Sequence, residues 1–444
     1  MTAAQPQMTA HDVIGVGFGP SNLALAIAIE EMRVNRQRPL DCLFIDKQQT
    51  YRWHGDTLAS QSELQISFLK DLVSLRNPTS HFSFVNYLKE QGRLIDFINL
   101  RTFYPCRTEF NDYLRWVAEQ FADQAVYGEQ VLRLEPVAQK GPIDLLRVIS
   151  RDAAGVEHAR QARSVVVSTG GTPRIPELFK AFRHDPRIFH HSSYLSSVAK
   201  LPCSQGKPMR IAIIGSGQSA AEAFIDLHDS FPTVEADMIV RGSALKPADD
   251  SPFVNEVFAP RYTELMFQQS AEQRKHLIEE FHNTNYSVID PGLIERIYAL
   301  LYRQKISASN RHAVLCLRHV QGLEVTPQGI DLSTQDIATG QVHTKRYDAV
   351  ILATGYSRDA HRELLAPLEG YLNDFQVNRQ YRALSTPDLR ASVFLQGFCE
   401  ASHGLSDTLL SVLACRSEEI ADALYQSLLA PAIHPGLKIA AVGA

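Results

Sequence analysis

Asp12-Val-Ile-Gly15-Val-Gly17-Phe-Gly19-Pro20-Ser-Asn-Leu-Ala-Leu-Ala26 is the stretch on which the reading of the fold turns. A short apolar strand (Val13, Ile14) enters a turn holding Gly15, Gly17 and Gly19, and an apolar helix follows at once. The first N–H groups of a helix have no partner inside it, so they point at any anion placed there, a diphosphate above all. Gly15 permits the tight turn, and Gly17 lets the backbone approach phosphate closely. Pro20 stands where the fingerprint usually has Gly or Ala. It is tolerated because a first-turn N–H has no helical acceptor to lose. Leu40-Asp-Cys-Leu-Phe-Ile-Asp46 then reads as a second strand ending in an acid. Asp46 is placed to hold a ribose hydroxyl, although it lies farther along than the usual spacing. A dinucleotide site explains this succession better than an ordinary strand–turn–helix does.

The pattern recurs at Ile211-Ala-Ile-Ile-Gly215-Ser216-Gly217-Gln218-Ser219-Ala220, with a small residue at the third position. Its second strand, Ala236 to Arg241, ends in a guanidinium instead of an acid. An acid repels a 2′-phosphate, whereas a guanidinium donates to it in a fork, so the second nucleotide is expected to be NADPH. The competing reading is that Arg241 is a surface charge at a strand end. Two further apolar strands, Ser164–Pro173 and Tyr347–Tyr356, each run into a Thr-Gly turn. The expected fold is α/β, with two Rossmann-like dinucleotide-binding domains and a smaller inserted substrate-binding region. The first domain is discontinuous (1–205 and 375–444), the second spans 206–374, and the insertion covers about 245–340.

Composition narrows the function. The 444 residues are 45% hydrophobic and 21% charged with a net charge of −5, so no broad basic face for nucleic acid is expected. Cys42, Cys106, Cys203, Cys316, Cys399 and Cys415 are scattered without a Cys-x-x-Cys pair. That argues against a redox dithiol, and therefore against a disulfide reductase of similar layout, and no metal site is expected. The N-terminus lacks a basic region before its first apolar run, and no apolar run approaches the ~20 residues of a membrane span. A cytoplasmic location is expected.

Between the motifs, Tyr51-Arg-Trp53-His54-Gly-Asp56 is an aromatic and polar loop that suits a flat ring or, equally, a packed surface. Phe110–Phe121 has helical spacing, Val131–Ile149 reads as a β-meander, and Leu293–Leu301 looks helical. His403-Gly-Leu-Ser406-Asp407-Thr408 is expected to open a helix reaching about Leu429, with Ser406 and Asp407 as N-caps. The adjacent His190 and His191 are expected on a surface strand.

With these features in place, the sequence resembles the class B, N-hydroxylating flavin monooxygenases of siderophore biosynthesis over nearly its whole length. The resemblance is most specific in Gln65-Ile-Ser-Phe-Leu-Lys70-Asp-Leu, Asp249-Asp-Ser-Pro-Phe-Val-Asn255-Glu, Asn283-Thr-Asn285-Tyr and His403-Gly-Leu-Ser-Asp-Thr408-Leu409-Leu410-Ser411. Around Phe189–Tyr194 only the His-Ser…Tyr end of the broader monooxygenase fingerprint survives, which fits the N-hydroxylating branch. The resemblance implies FAD and NADPH as cofactors, L-ornithine and O2 as substrates, and oxidation of the side-chain amine through a C4a-hydroperoxyflavin. It implies that Gln65 lies beside the flavin, that Lys70 pairs with the α-carboxylate, and that Asn255, Asn285 and Ser411 hydrogen-bond the amino acid. Gln65 and Asn285 are the catalytic candidates, Asn285 being nearest the amine. It further implies FAD contacts from Lys47, Trp53, His54 and Thr408 to Leu410, and NADPH contacts from Ser219 and Arg241. A homotetramer is compatible with the resemblance. L-lysine N6-hydroxylation is the close alternative, and another two-nucleotide flavin oxidoreductase a more distant one.

Overall fold

The computed structural model describes residues 9–59, 62–138 and 141–429. The opening motif folds as strand Ala10–Val16, helix Pro20–Arg36 and strand Cys42–Asp46, the two strands pairing in parallel with Gly15 opposite Phe44. Val13, Ile14, Leu23, Ala24 and Leu25 are buried because a parallel strand and its crossover helix are covered on both faces. Strand Glu157–Val167 lies on the other side of Ala10–Val16 and does two jobs. Its first half pairs antiparallel with Leu146–Asp152, extending into the meander that includes Glu129–Pro136. Its fully buried second half pairs in parallel with Ser392–Leu395, returning the distant chain to this sheet.

The second motif, Met209–Ile214, Gln218–Ser230 and Val234–Ile239, builds a five-stranded parallel sheet with His312–Leu315, Ala349–Leu352 and Ile188–His190. That last strand corrects the expected division at 205/206: Ile188–His190 pairs with Val350–Leu352, so the chain has joined the second sheet before residue 188. A three-residue strand carries no readable alternation, and the prolines after it gave the stronger boundary signal. The outer ends of the expected first domain, 1–8 and 430–444, lie outside the described residues.

The insertion expected over 245–340 is two structures. Residues 254–306 are helical, whereas His312–Leu315 rejoins the sheet beside Val234–Ile239. Arg318–Tyr347 then forms a separate three-stranded antiparallel sheet. The C-terminal helix begins at Leu413, after two short 3-10 turns, and Ser406 and Asp407 are not its caps. His190 and His191 are buried at 6% and 4% exposure, against the expected surface strand. His190 donates from Nε2 to the Gly355 carbonyl, because its Nδ1 accepts the Ser192 N–H.

Three buried histidines carry a consequence for stability. Burial chiefly lowers His191 and His312 to about 3 and His403 to about 4 from the ordinary 6.5. Between those values the unfolded chain binds protons that the folded chain refuses, so stability is full above 6.5 and falls as pH drops through the window. Each histidine contributes a loss of roughly 1.4 kcal/mol per pH unit. Thermal melts at about pH 5 are expected well below those at neutral pH. An unchanged midpoint would show that these rings protonate without unfolding.

Candidate functional site

The first glycine turn is a cradle built by close packing. Gly17 has φ +84°, and a Cβ there would lie 2.5 Å from the Ser168 carbonyl oxygen. At Gly15 a Cβ would meet the Phe44 ring at 2.3 Å, and Phe44 in turn stacks on Phe18 at 4.6 Å. None of the described residues lies within 4 Å of a Cβ at Gly19, so among them the space in front of the helix is open. Gly19 is the N-cap, Pro20 opens the helix, and no side chain caps its free N–H groups. Asp46 accepts from the Phe18 N–H at 2.7 Å and the Gln48 N–H at 2.8 Å, which fixes the turn and leaves further lone pairs for a hydroxyl. Lys47 beside it is exposed.

The second turn repeats the device: a Cβ at Gly215 would lie 2.4 Å from the Ala353 carbonyl oxygen, and Gly217 is an N-cap without a side-chain bond. Ser216 and Ser219 are partly exposed at this helix start. The Gln218 amide is engaged inside the protein, donating to Glu222 and accepting from the Asp290 N–H, both at 2.9 Å. The paired strand ends at Ile239 opposite Ile214, and exposed Arg241 follows two residues later.

Around these turns the structure brings together segments far apart in sequence. The Trp53 N–H donates to Asn111 at 2.8 Å, and the indole meets His54 and Phe110 edge-on. His54 has φ +52° and is exposed. Loss of hydration at its ring first, then the Arg107 and Arg358 guanidiniums, lowers its pKa to about 4.

The loop carrying Gln65 and Lys70 is held by Asp71, which accepts from the N–H groups of Val73, Ser74 and Phe84 and from the Ser74 hydroxyl. Lys70 Nζ reaches Asn255 Oδ1 at 3.5 Å, linking the first motif's side of the molecule to the helical insertion. Burial lowers the Lys70 pKa. Gln65 is exposed and makes no hydrogen bond among the described residues, so nothing joins it to Lys70 or Asn285 here.

Asn285 is partly buried, and the next residue, Tyr286, donates to Glu400 beside Thr408. Leu409 and Leu410 are partly buried, Leu410 packing on the first core. Ser411 is 1% exposed and its hydroxyl has no partner among the described residues, an orphaned group of the kind that a bound ligand satisfies.

Several supporting residues were not read from the sequence. Arg416 and Asp407 form an ion pair at 3.0 Å with about 1% exposure. Asp407 also accepts the Cys399 N–H, and Arg416 donates to Ser21 at 2.9 Å, tying the 405–411 segment to the first glycine-turn helix. Arg107 pairs with buried Glu222, joining helix Arg107–Glu119 to helix Gln218–Ser230. The two ion pairs span 9 and 115 positions and the Arg416–Ser21 bond 395, and only the Asp407–Arg416 spacing hints at a contact.

Two glycine turns at the carboxyl ends of parallel strands in two sheets, each opening an uncapped helix, define a two-dinucleotide oxidoreductase fold, and both cradles suit a diphosphate. The family described as L-lysine 6-monooxygenase/L-ornithine 5-monooxygenase matches residues 9–358, and the chain belongs to it. It is 61% identical over 428 residues to the L-ornithine N(5)-monooxygenase of Pseudomonas aeruginosa, covering 96% of each. A solved structure of ornithine hydroxylase (PvdA) from that organism superposes with a TM-score of 0.91 at 60% identity, over 95% of this chain and all of that one. The Kutzneria sp. 744 ornithine N-hydroxylase, solved with reduced FAD, NADP+ and L-ornithine, gives 0.88 at 35% identity, over 94% and 99%. The L-lysine 6-monooxygenase of Pseudomonas syringae gives 0.82 at 31%, over 94% and 99%.

Proposed function

We propose that this enzyme hydroxylates the side-chain amine of L-ornithine: L-ornithine, NADPH, H+ and O2 give N5-hydroxy-L-ornithine, NADP+ and water, in the service of hydroxamate siderophore synthesis. The observation that carries the reading is the meeting of Lys70 and Asn255 across the molecule. It sets a partly buried ammonium, steadied by an amide, where it suits an amino-acid carboxylate.

FAD is assigned to the first cradle, with Asp46 and Lys47 toward its ribose and Trp53, His54, Gln65 and Thr408 to Leu410 toward its ring. NADPH is assigned to Gly215–Ser219 and Arg241. Bound FAD supplies the activated oxygen. The protein's part is to orient and desolvate. Lys70 holds the carboxylate, Asn255, Asn285 and the Ser411 hydroxyl hydrogen-bond the amino acid, and Asn285 lies nearest the amine. That amine must lose its proton to react, and with a reference pKa of ~10.4 little is neutral near pH 7. A partly dehydrated site favours the neutral form. Among the described residues no helix is long and apolar enough to cross a membrane. A cytoplasmic homo-oligomer is the working assembly in this reading.

The deciding experiment is a hydroxylamine assay on the FAD-loaded enzyme with NADPH and a panel of amines. Ornithine is expected to be converted, and lysine to drive NADPH oxidation that ends mainly in hydrogen peroxide. Lysine hydroxylated as well as ornithine overturns the substrate assignment.

The exposed Arg241 gives a separate expectation. Its replacement by alanine should weaken NADPH roughly ten-fold or more, the worth of a charge-assisted phosphate contact at about 1.5–3 kcal/mol. NADH binding should stay as it was. Titration with both nucleotides checks this, and equal losses for the two would remove Arg241 from 2′-phosphate recognition.

A further inference from the structure

Arg358 follows the short strand Tyr356–Ser357, which pairs with Thr172–Pro173 where the ends of the two sheets come together. Its guanidinium reaches to the first sheet: a Cβ at Gly397 would lie 3.6 Å from Arg358 Nη1. Gly397 has φ +81° and stands two residues past the carboxyl end of strand Ser392–Leu395. Ligands of open α/β sheets sit on that crest.

His54, Tyr286, Tyr356 and Glu400 surround the group closely enough to feel its charge. They come from the aromatic loop, the helical insertion, the linker strand and the segment leading to Thr408. Arg358 is partly buried, yet among the described residues it makes no ion pair and no hydrogen bond. Arg107, the other guanidinium near His54, is neutralised by Glu222. Glu400 is committed to Tyr286.

A partly desolvated cation that no carboxylate of the described residues contacts directly is costly until an anion reaches it. Each diphosphate has its own glycine turn and helix start, and the amino-acid carboxylate has Lys70. The remaining anion on the crest beside Gly397 is the one created when the flavin ring is reduced. We propose that Arg358 supplies the positive charge that stabilises the reduced, anionic flavin and so raises its reduction potential. This rests on the assignment of FAD to the first cradle. The charge is carried by the strand that continues from the second sheet, so the electronics of one cofactor depend on the placement of the other cofactor's domain.

The test is the midpoint potential of bound FAD, measured by dye equilibration on the parent, Arg358→Gln and Arg358→Lys enzymes. FAD content and NADP+ affinity are recorded for each. Arg358→Gln should hold reduced flavin about ten-fold less tightly relative to oxidised, which for a two-electron couple is about 30 mV lower. Arg358→Lys should retain most of the potential, and NADP+ affinity should not change. A potential unmoved in Arg358→Gln overturns the proposal. So does a loss of NADP+ affinity at constant potential, which would give the guanidinium to a nucleotide phosphate. A parent enzyme that takes up no FAD overturns the cofactor assignment itself, so the two failures are distinguishable. If Arg358→Gln fails to fold, Arg358→Met replaces it, keeping the apolar stem without the charge, and is judged by the same readings.

Discussion

Replacing Lys70 by alanine is expected to raise the ornithine concentration for half-maximal turnover by about thirty-fold or more while leaving FAD content normal. The ammonium lies 3.5 Å from Asn255 and burial lowers its pKa, so it is a cation that a carboxylate would welcome. Truncating one partner of a buried, hydrogen-bonded charge pair costs roughly 2–5 kcal/mol, and the lower figure is already about thirty-fold. The loop itself survives, because Asp71 and its four donors hold it without help from Lys70. Hydroxylamine yield per NADPH should fall as well, since an unanchored amino acid presents its amine in many positions. Ornithine and lysine differ by one methylene, about 1.3 Å, and a misplacement of that order costs on the order of a hundred-fold in rate. Steady-state kinetics with product and peroxide quantified decide the matter. Parent-like ornithine kinetics would make Lys70 a solvated lysine and remove it from substrate anchoring.

The glycines of the first turn are expected to separate folding from cofactor binding. A valine at Gly19 projects into open space in front of an uncapped helix, and φ −81° there suits any residue. That protein should purify soluble, with circular dichroism and melting close to the parent, but with FAD occupancy reduced ten-fold or more. The side chain stands where the diphosphate must meet the N–H groups. A valine at Gly17 instead drives its Cβ against the Ser168 carbonyl at 2.5 Å and needs φ +84°, and one at Gly15 drives into Phe44 at 2.3 Å. Those two should lose fold stability as well as flavin. The ratio of flavin to protein absorbance, read beside thermal melts, checks all three. Full flavin occupancy in soluble Gly19→Val would show that the diphosphate lies elsewhere.

Much of this molecule was legible because its information is local. Gly15, Gly17, Gly19 and Pro20 announce a strand–turn–helix through backbone rules that act within a few residues, and the copy at Gly215–Ala220 announces a second. Helices Arg107–Glu119 and Pro291–Ile306 followed from apolar spacing, which reports the face a helix must bury. Short elements were less readable. Ile188–His190 is too brief to show a period, and Ser406 and Asp407, good caps by type, are spent on 3-10 turns and the Arg416 pair instead.

What the sequence by itself determined is the presence of two dinucleotide cradles, their order along the chain, and the residue types available to each. Only the tertiary structure decided that Lys70 meets Asn255, that Arg107 is neutralised by Glu222 and that Arg358 stands beside Gly397 without an ion pair among the described residues. The reason is physical. Backbone conformation is set by neighbours in sequence, whereas the charge state and partner of a side chain are set by whatever packing brings within a few ångströms.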